Sequence, residues 1–135
     1  MMSLMSTFNI GSTGLVAQAM RLNVTSSNVA NAESVAGPDG RTYRARHVLF
    51  RSTEVPNAQG VGVEVSNIVE SDAPLRQEYK PGHPMANANG YVQMPNVNPV
   101  EEMVNMISAS RSYQMNIEMM NTTRQLMLKT LDLGR

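Results

Sequence analysis

Residues Val100 to Leu133 contain neither glycine nor proline, and this uninterrupted run constrains the fold more than any other part of the chain. Mostly apolar residues recur along it at alternating spacings of three and four, which marks one face of a helix. A helix of this length would extend for about 50 Å, longer than a compact chain of this size is wide. The sequence therefore predicts a helix that needs partners along its length, more than the rest of the chain can supply.

We call the predicted helix of residues 100–133 α2 and this series the α2 stripe. Its members are Met103, Met106, Ser110, Tyr113, Ile117, Met120, Arg124, Met127 and Leu131. A second series widens it at the start, namely Val100, Val104 and Ile107. Ser110 and Arg124 are the polar members. We expect Arg124 either to reach water past its apolar neighbours or to pair with an acid on another helix.

The helix has well-marked ends. Asn98 can cap the free amides, Pro99 suits the first helical position, and Glu101 stands where a capping box places an acid. Glu101 and Glu102 also favour the positive end of the helix dipole, and Gly134 is placed to end the helix.

The first 32 residues contain a weaker helical series with the spacing 4-3-4-3-4-3-4. Its members are Leu4, Phe8, Gly11, Leu15, Gln18, Leu22, Thr25 and Val29. Arg21 is the single charge in this segment, so the remaining faces are small and uncharged and would allow further helices to approach closely. A flexible amino terminus is an equally good reading, because Gly11 and Gly14 each cost about 1 kcal/mol of helix propensity relative to alanine.

Residues 33–96 differ in character, since nearly all the prolines lie there. Gly37-Pro38-Asp39-Gly40 predicts a turn, and Thr42–Arg51 and Val61–Val69 predict two strands of a hairpin joined by a Pro-Asn-Gly loop. Tyr91–Met94 predicts a short extended piece. This middle region is expected to be a β and loop insert rather than an independent domain, which divides the chain into segments 1–32, 33–96 and 97–135.

Composition argues against several classes of function. The 11 basic and 11 acidic residues cancel, so no overall charge attracts nucleic acid or an anionic membrane, and acids near the Arg41–Arg51 cluster balance it. The chain has no cysteine, and His47 and His83 lack the spacing of a metal site. No nucleophile elbow or phosphate-binding loop occurs. We therefore predict a protein that is not an enzyme and needs no cofactor or metal.

Membrane and secretion signals are weak as well. No apolar run approaches the ~20 residues that span a bilayer, and no basic residue precedes Arg21 to start a signal peptide. By these rules the chain would stay in the cytoplasm unless another export route carries it.

Two stretches resemble a known family. Residues 22–33 read Leu-Asn-Val-Thr-Ser-Ser-Asn-Val-Ala-Asn-Ala-Glu, similar to the amino-terminal motif L-x-V-x-S-x-N-I-A-N-A of bacterial flagellar rod and hook proteins. Residues 90–103 and 108–118 resemble the matching carboxy-terminal signature, and the short length and the Gly37–Gly40 turn point to the proximal-rod subtype. Glu33 onward replaces the Thr-Pro-Gly-Tyr found in many relatives, and Asn98 stands where they often have Asp.

The resemblance implies a mainly α fold, in which long terminal helices form an antiparallel coiled-coil-like pair and together make one rod-core domain. It implies a structural subunit of the basal-body rod, which joins copies of itself and other rod subunits in a hollow drive shaft. It also implies export by the flagellar apparatus without a cleavable signal. A cytoplasmic coiled-coil adaptor or export chaperone is the alternative, and an enzyme or ligand-binding domain built on the insert comes third.

On this reading the two helical series form the assembly interface. The residues expected there are Leu4, Phe8, Leu15, Leu22, Asn28, Val29, Asn31, Met103, Met106, Tyr113, Ile117, Met120, Arg124, Met127 and Leu131, with Asn98 and Glu101 as helix caps.

Overall fold

The computed structural model describes residues 3–37 and 39–134. In chain order, a long helix is followed by two small sheets and then by a second long helix. The elements are α1 (Leu4–Ala30), β1 (Arg46–Glu54), β2 (Val61–Glu70), β3 (Arg76–Tyr79), β4 (Tyr91–Met94) and α2 (Pro99–Leu133). Helices make up 47% and strands 21% of the described residues. The long terminal helices are confirmed, but the expectation of a mainly α fold is only partly correct because the insert contributes four strands.

Both helices begin at the side-chain caps that their sequences provide. Ser3 accepts a hydrogen bond from the Ser6 amide at the start of α1. Asn98 accepts from the amides of Val100 and Glu101, and Pro99 occupies the first turn of α2. Only half of the predicted capping box forms among the described residues, since the exposed Glu101 carboxylate makes no return bond to Asn98. α2 ends before Gly134, as predicted.

The two helices pack antiparallel along the whole of α1. Gly11 lies against Met119 and Met120, Gly14 lies against Asn116, and farther on Asn28 bonds to Glu102. Each step forward along α1 is thus matched by a step back along α2. The amino-terminal segment is a continuous helix of 27 residues in this fold, despite its two glycines.

The first two strands form the predicted antiparallel hairpin, with Arg46 opposite Glu70 and Glu54 opposite Val61. The predicted bounds of the first strand, Thr42–Arg51, are wrong at both ends. The strand starts later because the Ala45 amide donates to Asn96 Oδ1, and the Ser71 carbonyl accepts from the same asparagine. Of the bonds expected next to the Arg46–Glu70 pair, the one from the Ser71 amide to the Ala45 carbonyl remains. A shift in register between Leu49 and Phe50 forms a bulge, which bends the hairpin.

The second sheet is smaller and only half of it was predicted. β4 matches the expected Tyr91–Met94, but its partner β3, Arg76–Tyr79, has no apolar alternation that would mark it as a strand. The rings of Tyr79 and Tyr91 meet edge to face at 5.3 Å, and Gly90 enters the turn with φ at +85°. The turn requires that glycine, since a side chain there would also strike the Tyr79 ring.

The turn predicted at Gly37 is present as far as the structure describes it. The Gly40 amide donates to the Gly37 carbonyl at 2.9 Å, and Gly40 has a φ of +75°. Pro38, which was expected to fix the second position, lies outside the described residues.

We expect replacement of Gly14 by valine to lower the free energy of unfolding by about 1–2 kcal/mol, because a Cβ there would overpack the helix interface. It would meet the Asn116 amide at 2.9 Å, and that amide is tied by a hydrogen bond to the Ser112 carbonyl. Urea unfolding followed by circular dichroism measures the effect. Asn23→Val, at an exposed position of the same helix, is the control. Equal stability of the two variants would contradict the close approach of the helices at Gly14.

Candidate assembly interface

The contact between α1 and α2 is lined by small and polar side chains. The fully buried positions of α1 include Gly11, Ala17 and Thr25, and those of α2 are Glu102, Ala109 and Thr123. We call this line of contact the seam. Because the seam contains small residues, the two backbones approach closely. The large apolar side chains of α2 therefore lie outside the centre of this contact.

The α2 stripe lies beside the seam rather than on it. Six of its members follow a buried position of α2 by one residue or by four, namely Met103, Met106, Ser110, Tyr113, Arg124 and Met127. A single step turns the helix by about 100°. The inner half of the stripe is half-buried, comprising Met106, Tyr113, Met120 and Met127, with Ser110. Met120 of this half lies against Gly11 of α1. The outer half is exposed, comprising Met103, Ile117, Arg124 and Leu131. One half of the stripe therefore lies at the edge of the contact between the helices, and the other half lies on the exposed surface of the pair.

The series predicted on α1 lies on the packed side of that helix. Its large members are half-buried, namely Leu4, Phe8, Leu15, Leu22 and Val29. Gly11 and Thr25 are buried, while Val16 and Met20 on another side are exposed. On α1, in contrast to α2, most of the predicted apolar surface is used within the chain.

Asn28 lies at the junction of α1, α2 and β1 and is completely buried. Its amide nitrogen donates to the Arg46 carbonyl at 2.8 Å and to Glu102 Oε2 at 3.0 Å. Its amide oxygen accepts from the Tyr43 hydroxyl at 2.7 Å and from the Arg46 amide at 3.0 Å. Every hydrogen-bonding position of the side chain is therefore used within the chain. The structure thus places Asn28, a predicted interface residue, among the chain's own elements.

Sequence reasoning missed the role of Glu102. The sequence predicts for Glu102, as for Glu101, only an acid near the positive end of the helix dipole, yet only 4% of Glu102 is exposed and its carboxylate accepts from the Asn28 amide. A burial difference between adjacent acids follows from helix geometry, since neighbouring residues point in different directions. The sequence does contain a signal for this burial. Glu102 lies one heptad before Ala109, so the two residues lie on the same side of α2, which is the buried side.

A second set of polar bonds attaches the insert to the helix ends. Asn96 accepts from the Ala45 amide and donates to the carbonyls of Ser71 and Ala73. Arg76 reaches back to the Ala32 carbonyl. Ala32, Ala45 and Val97 form the small core under Tyr43. Asn31, the other predicted asparagine, is half-buried and caps α1, with its amide donating to the Ser27 carbonyl.

The described surface carries many large apolar side chains in the open. On α2 these include Val100, Met103, Val104, Ile107, Met115, Leu126, Leu128, Leu131 and Leu133. On the first hairpin they are Leu49, Phe50, Val61 and Ile68. Arg111 and Arg124 of α2 are exposed, and neither makes an ion pair with another described residue. So extensive an apolar surface is typical of a protein that binds other proteins.

Catalytic chemistry has little to build on in the described part of the chain. No group of three metal-ligating side chains comes together there. His47 is exposed, and His83 accepts from the Met85 amide in its loop. A groove of about 580 Å³ next to Tyr43 is lined by Arg41, Arg44 and other polar residues, but no nucleophile with a paired base lies in it. No helix among the described residues is long and apolar enough to cross a membrane.

One carboxyl group has a shifted pKa, and it lies on β3, away from the helices. A hydrogen bond from the Lys80 ammonium, 3.2 Å away, holds the pKa of Glu78 below its ordinary 4.5. Any stability from this exposed pair is present above pH 4.5 and is lost as the pH falls through the lowered pKa. The pair has no part in the helical surface.

Comparison with known proteins identifies the class. Residues 8–38 match the family described as flagella basal body rod protein, and residues 88–133 match the carboxy-terminal family of flagellar basal body rod proteins FlgE, FlgF and FlgG. The two matches cover α1 from Phe8 onward and all of α2, so the helix pair defines a flagellar basal-body rod protein.

Full-length relatives narrow the assignment. The chain is 54% identical over 134 residues to the flagellar basal-body rod protein FlgC of Salmonella typhimurium, covering 99% of this chain and 100% of the relative. Identity to FlgC of Escherichia coli O6:H1 is also 54% with the same coverage, and FlgC of Borreliella burgdorferi is 39% identical over 147 residues, with 96% and 97% covered. The chain belongs to the FlgC family of flagellar basal-body rod proteins. The family resemblance noted in the sequence is thereby confirmed.

We expect Asn28→Ala to lower the free energy of unfolding by about 3 kcal/mol, because it removes four hydrogen bonds and leaves the buried Glu102 carboxylate without its donor. Asn31→Ala should cost about 1 kcal/mol, since that side chain makes a single capping bond. Urea unfolding of both variants gives the comparison. A cost for Asn28→Ala no greater than that for Asn31→Ala would contradict the central role of the junction.

Proposed function

We propose that this chain is a structural subunit of the proximal part of the flagellar rod. It joins copies of itself and other rod subunits in a hollow helical drive shaft, which transmits torque and encloses the export channel. Membership in the rod family and the uncovered apolar surface of α2 support this proposal together. The exposed outer half of the α2 stripe is the observation that carries it.

The helix pair is suited to serve as a building block. The small residues of both helices form the seam within the chain, so many large apolar residues of α2 remain exposed beside it. Ile117 lies in the middle of that border and is 36% exposed. In the rod we expect Met103, Ile117 and Leu131 to be covered by neighbouring subunits, with Arg124 next to an acid of the same neighbour.

The junction at Asn28 has an indirect part in assembly. It fixes the first hairpin against the start of α2, so the subunit presents the hairpin and the helix surface in one orientation. We propose that Asn28 acts as a positioning residue. The half-buried residues of α1 contribute to contacts between packed helices, namely Leu4, Phe8, Leu15, Leu22 and Val29.

Fractionation tests the rod assignment. A tagged chain that restores swimming to a strain lacking the native copy should co-purify with detergent-extracted basal bodies. A cytoplasmic adaptor or export chaperone would remain in the soluble fraction, and that result would overturn the proposal.

Ile117→Asp should abolish rod assembly and swimming, because it places a charge in the middle of an apolar contact. The chain itself should still fold, since Ile117 is partly exposed. Swimming in soft agar and the amount of chain in basal bodies are the readouts. Asn121→Asp adds the same charge one turn farther on, at an exposed polar position, and should swim normally. Normal swimming of the Ile117 variant would show that the stripe is not an interface.

We also propose export by the flagellar apparatus without removal of an amino-terminal signal. Leu4–Ala30 form α1, which packs against α2 and belongs to the folded subunit. Mass spectrometry of the chain recovered from basal bodies should therefore show residues 3–30 intact. A chain cleaved within α1 would contradict this route.

A further inference from the structure

Glu102 and Arg21 are two charged residues at the contact between the helices, and neither forms an ion pair with another described residue. Glu102 is 4% exposed, and its Oε2 accepts a hydrogen bond from the uncharged Asn28 amide. Arg21 is half-buried and is the single charge of the first 32 residues. Its guanidinium makes two long bonds of 3.4 Å, to uncharged Gln18 and Ser108. A buried carboxylate without a counter-charge is costly, so Glu102 needs a cation nearby.

Both charges line the same small cavity between α1, α2 and β1. Its volume is about 170 Å³. Its polar walls are formed by Arg21 and Thr25 of α1, Glu102 and Asn105 of α2, and Arg46 and His47 of β1. We call it the junction cavity, because Glu102 and Arg46 also bond to Asn28 at the junction.

Three polar groups on the walls of the junction cavity have no hydrogen-bond partner among the described residues. They are Oε1 of Glu102, the Thr25 hydroxyl and the Asn105 amide. Thr25 is only 4% exposed, yet its hydroxyl does not bond to its own helix as that of Thr123 does. No unbonded side-chain oxygen or nitrogen of a buried described residue is shut off from solvent. Oε1 and the Thr25 hydroxyl therefore face open space, and the cavity is the space that both residues line.

The other charged and titratable side chains of the junction cavity are less suited to balance Glu102. The Arg46 guanidinium is engaged elsewhere, since it lies 5.7 Å from the centre of the Tyr43 ring and 3.9 Å from the Glu70 carboxylate. His47 is exposed on the hairpin. Arg21, whose present partners are neutral, remains as the counter-charge.

We propose that the junction cavity is a binding site for ordered water, and that this water couples Arg21 of α1 to the buried carboxylate of Glu102 on α2. Oε1, the Thr25 hydroxyl and the Asn105 amide supply the number of partners that is typical for buried water. Bridging water joins polar groups that are beyond the range of a direct bond. Arg21 is thus a positioning residue, which ties the two helices together a second time, seven residues before Asn28.

A double-mutant cycle tests the coupling between Arg21 and Glu102. Arg21→Gln should raise the equilibrium constant of unfolding about fivefold in the native chain, but less than about 1.5-fold in a Glu102→Gln background, where no buried charge needs balancing. Arg21→Lys retains the charge and should stay within about twofold of the native chain. Urea unfolding followed by circular dichroism gives each constant. Arg46→Gln, the control, should have the same effect in both backgrounds. Equal effects of Arg21→Gln in both backgrounds, or coupling to Arg46 instead, would overturn the assignment of Arg21.

Thr25→Val tests the water separately, because valine lacks the hydroxyl but has nearly the same shape. If the hydroxyl bonds to water, its loss should raise the equilibrium constant of unfolding about fivefold. A buried hydroxyl without any partner would give the opposite result, since its replacement by a methyl group is neutral or stabilising. Thr122→Val, at an exposed position of α2, is the matched control and should leave the constant unchanged. A neutral or stabilising Thr25→Val would overturn the water site.

A high-resolution crystal structure of the purified chain provides the direct observation. It should show ordered water within hydrogen-bond distance of Glu102 Oε1 and of the Thr25 hydroxyl. The same crystals of Arg21→Gln should retain the cavity. A cavity without ordered water, or one filled by the Arg21 side chain in direct contact with Glu102, would overturn coupling through water.

Discussion

The buried amide of Asn28 connects α1, α2 and the start of the insert at one end of the helix pair. It bonds to Glu102 on α2, to both backbone groups of Arg46 on β1, and to Tyr43 above the small core. An asparagine in that position can satisfy two acceptors and two donors at once, which no apolar residue could do. The junction therefore fixes both the register of the helices and the attachment of the first hairpin. Burial of the Glu102 carboxylate is tolerated because it accepts a hydrogen bond from the Asn28 amide.

The register in turn determines what the surface presents. Small residues form the seam, so the bulky residues of α2 lie beside it and beyond it. The outer half of the α2 stripe is exposed as a consequence of this arrangement, and exposed apolar residues such as Val100 and Leu133 lie near both ends of the same helix. In an ordinary globular protein such a surface would promote aggregation. In a flagellar rod protein it is available for the contacts from which a shaft is assembled.

Much of the fold could be predicted because its signals are local. Asn98, Pro99 and Gly134 mark α2 through the chemistry of free amides and fixed φ angles, and these bounds are confirmed. The strands are less predictable from the sequence. β3 has four polar or aromatic residues whose pairing depends on β4, and β1 starts late because Asn96 binds the Ala45 amide from 51 residues away. Pairings over such distances leave no periodic pattern in the sequence.

The sequence by itself determined where α2 begins and ends, that an insert separates it from a weaker helical series in the first 32 residues, and which stretches carry the family motifs. It did so because capping, helical periodicity and turn residues act over a few positions. Only the tertiary structure decided which side of α2 faces α1, that Glu102 is inside and Glu101 outside, and that the last turns of α2 extend past α1. These features depend on side-chain volume at the seam and on one buried amide, where residues far apart in the chain meet.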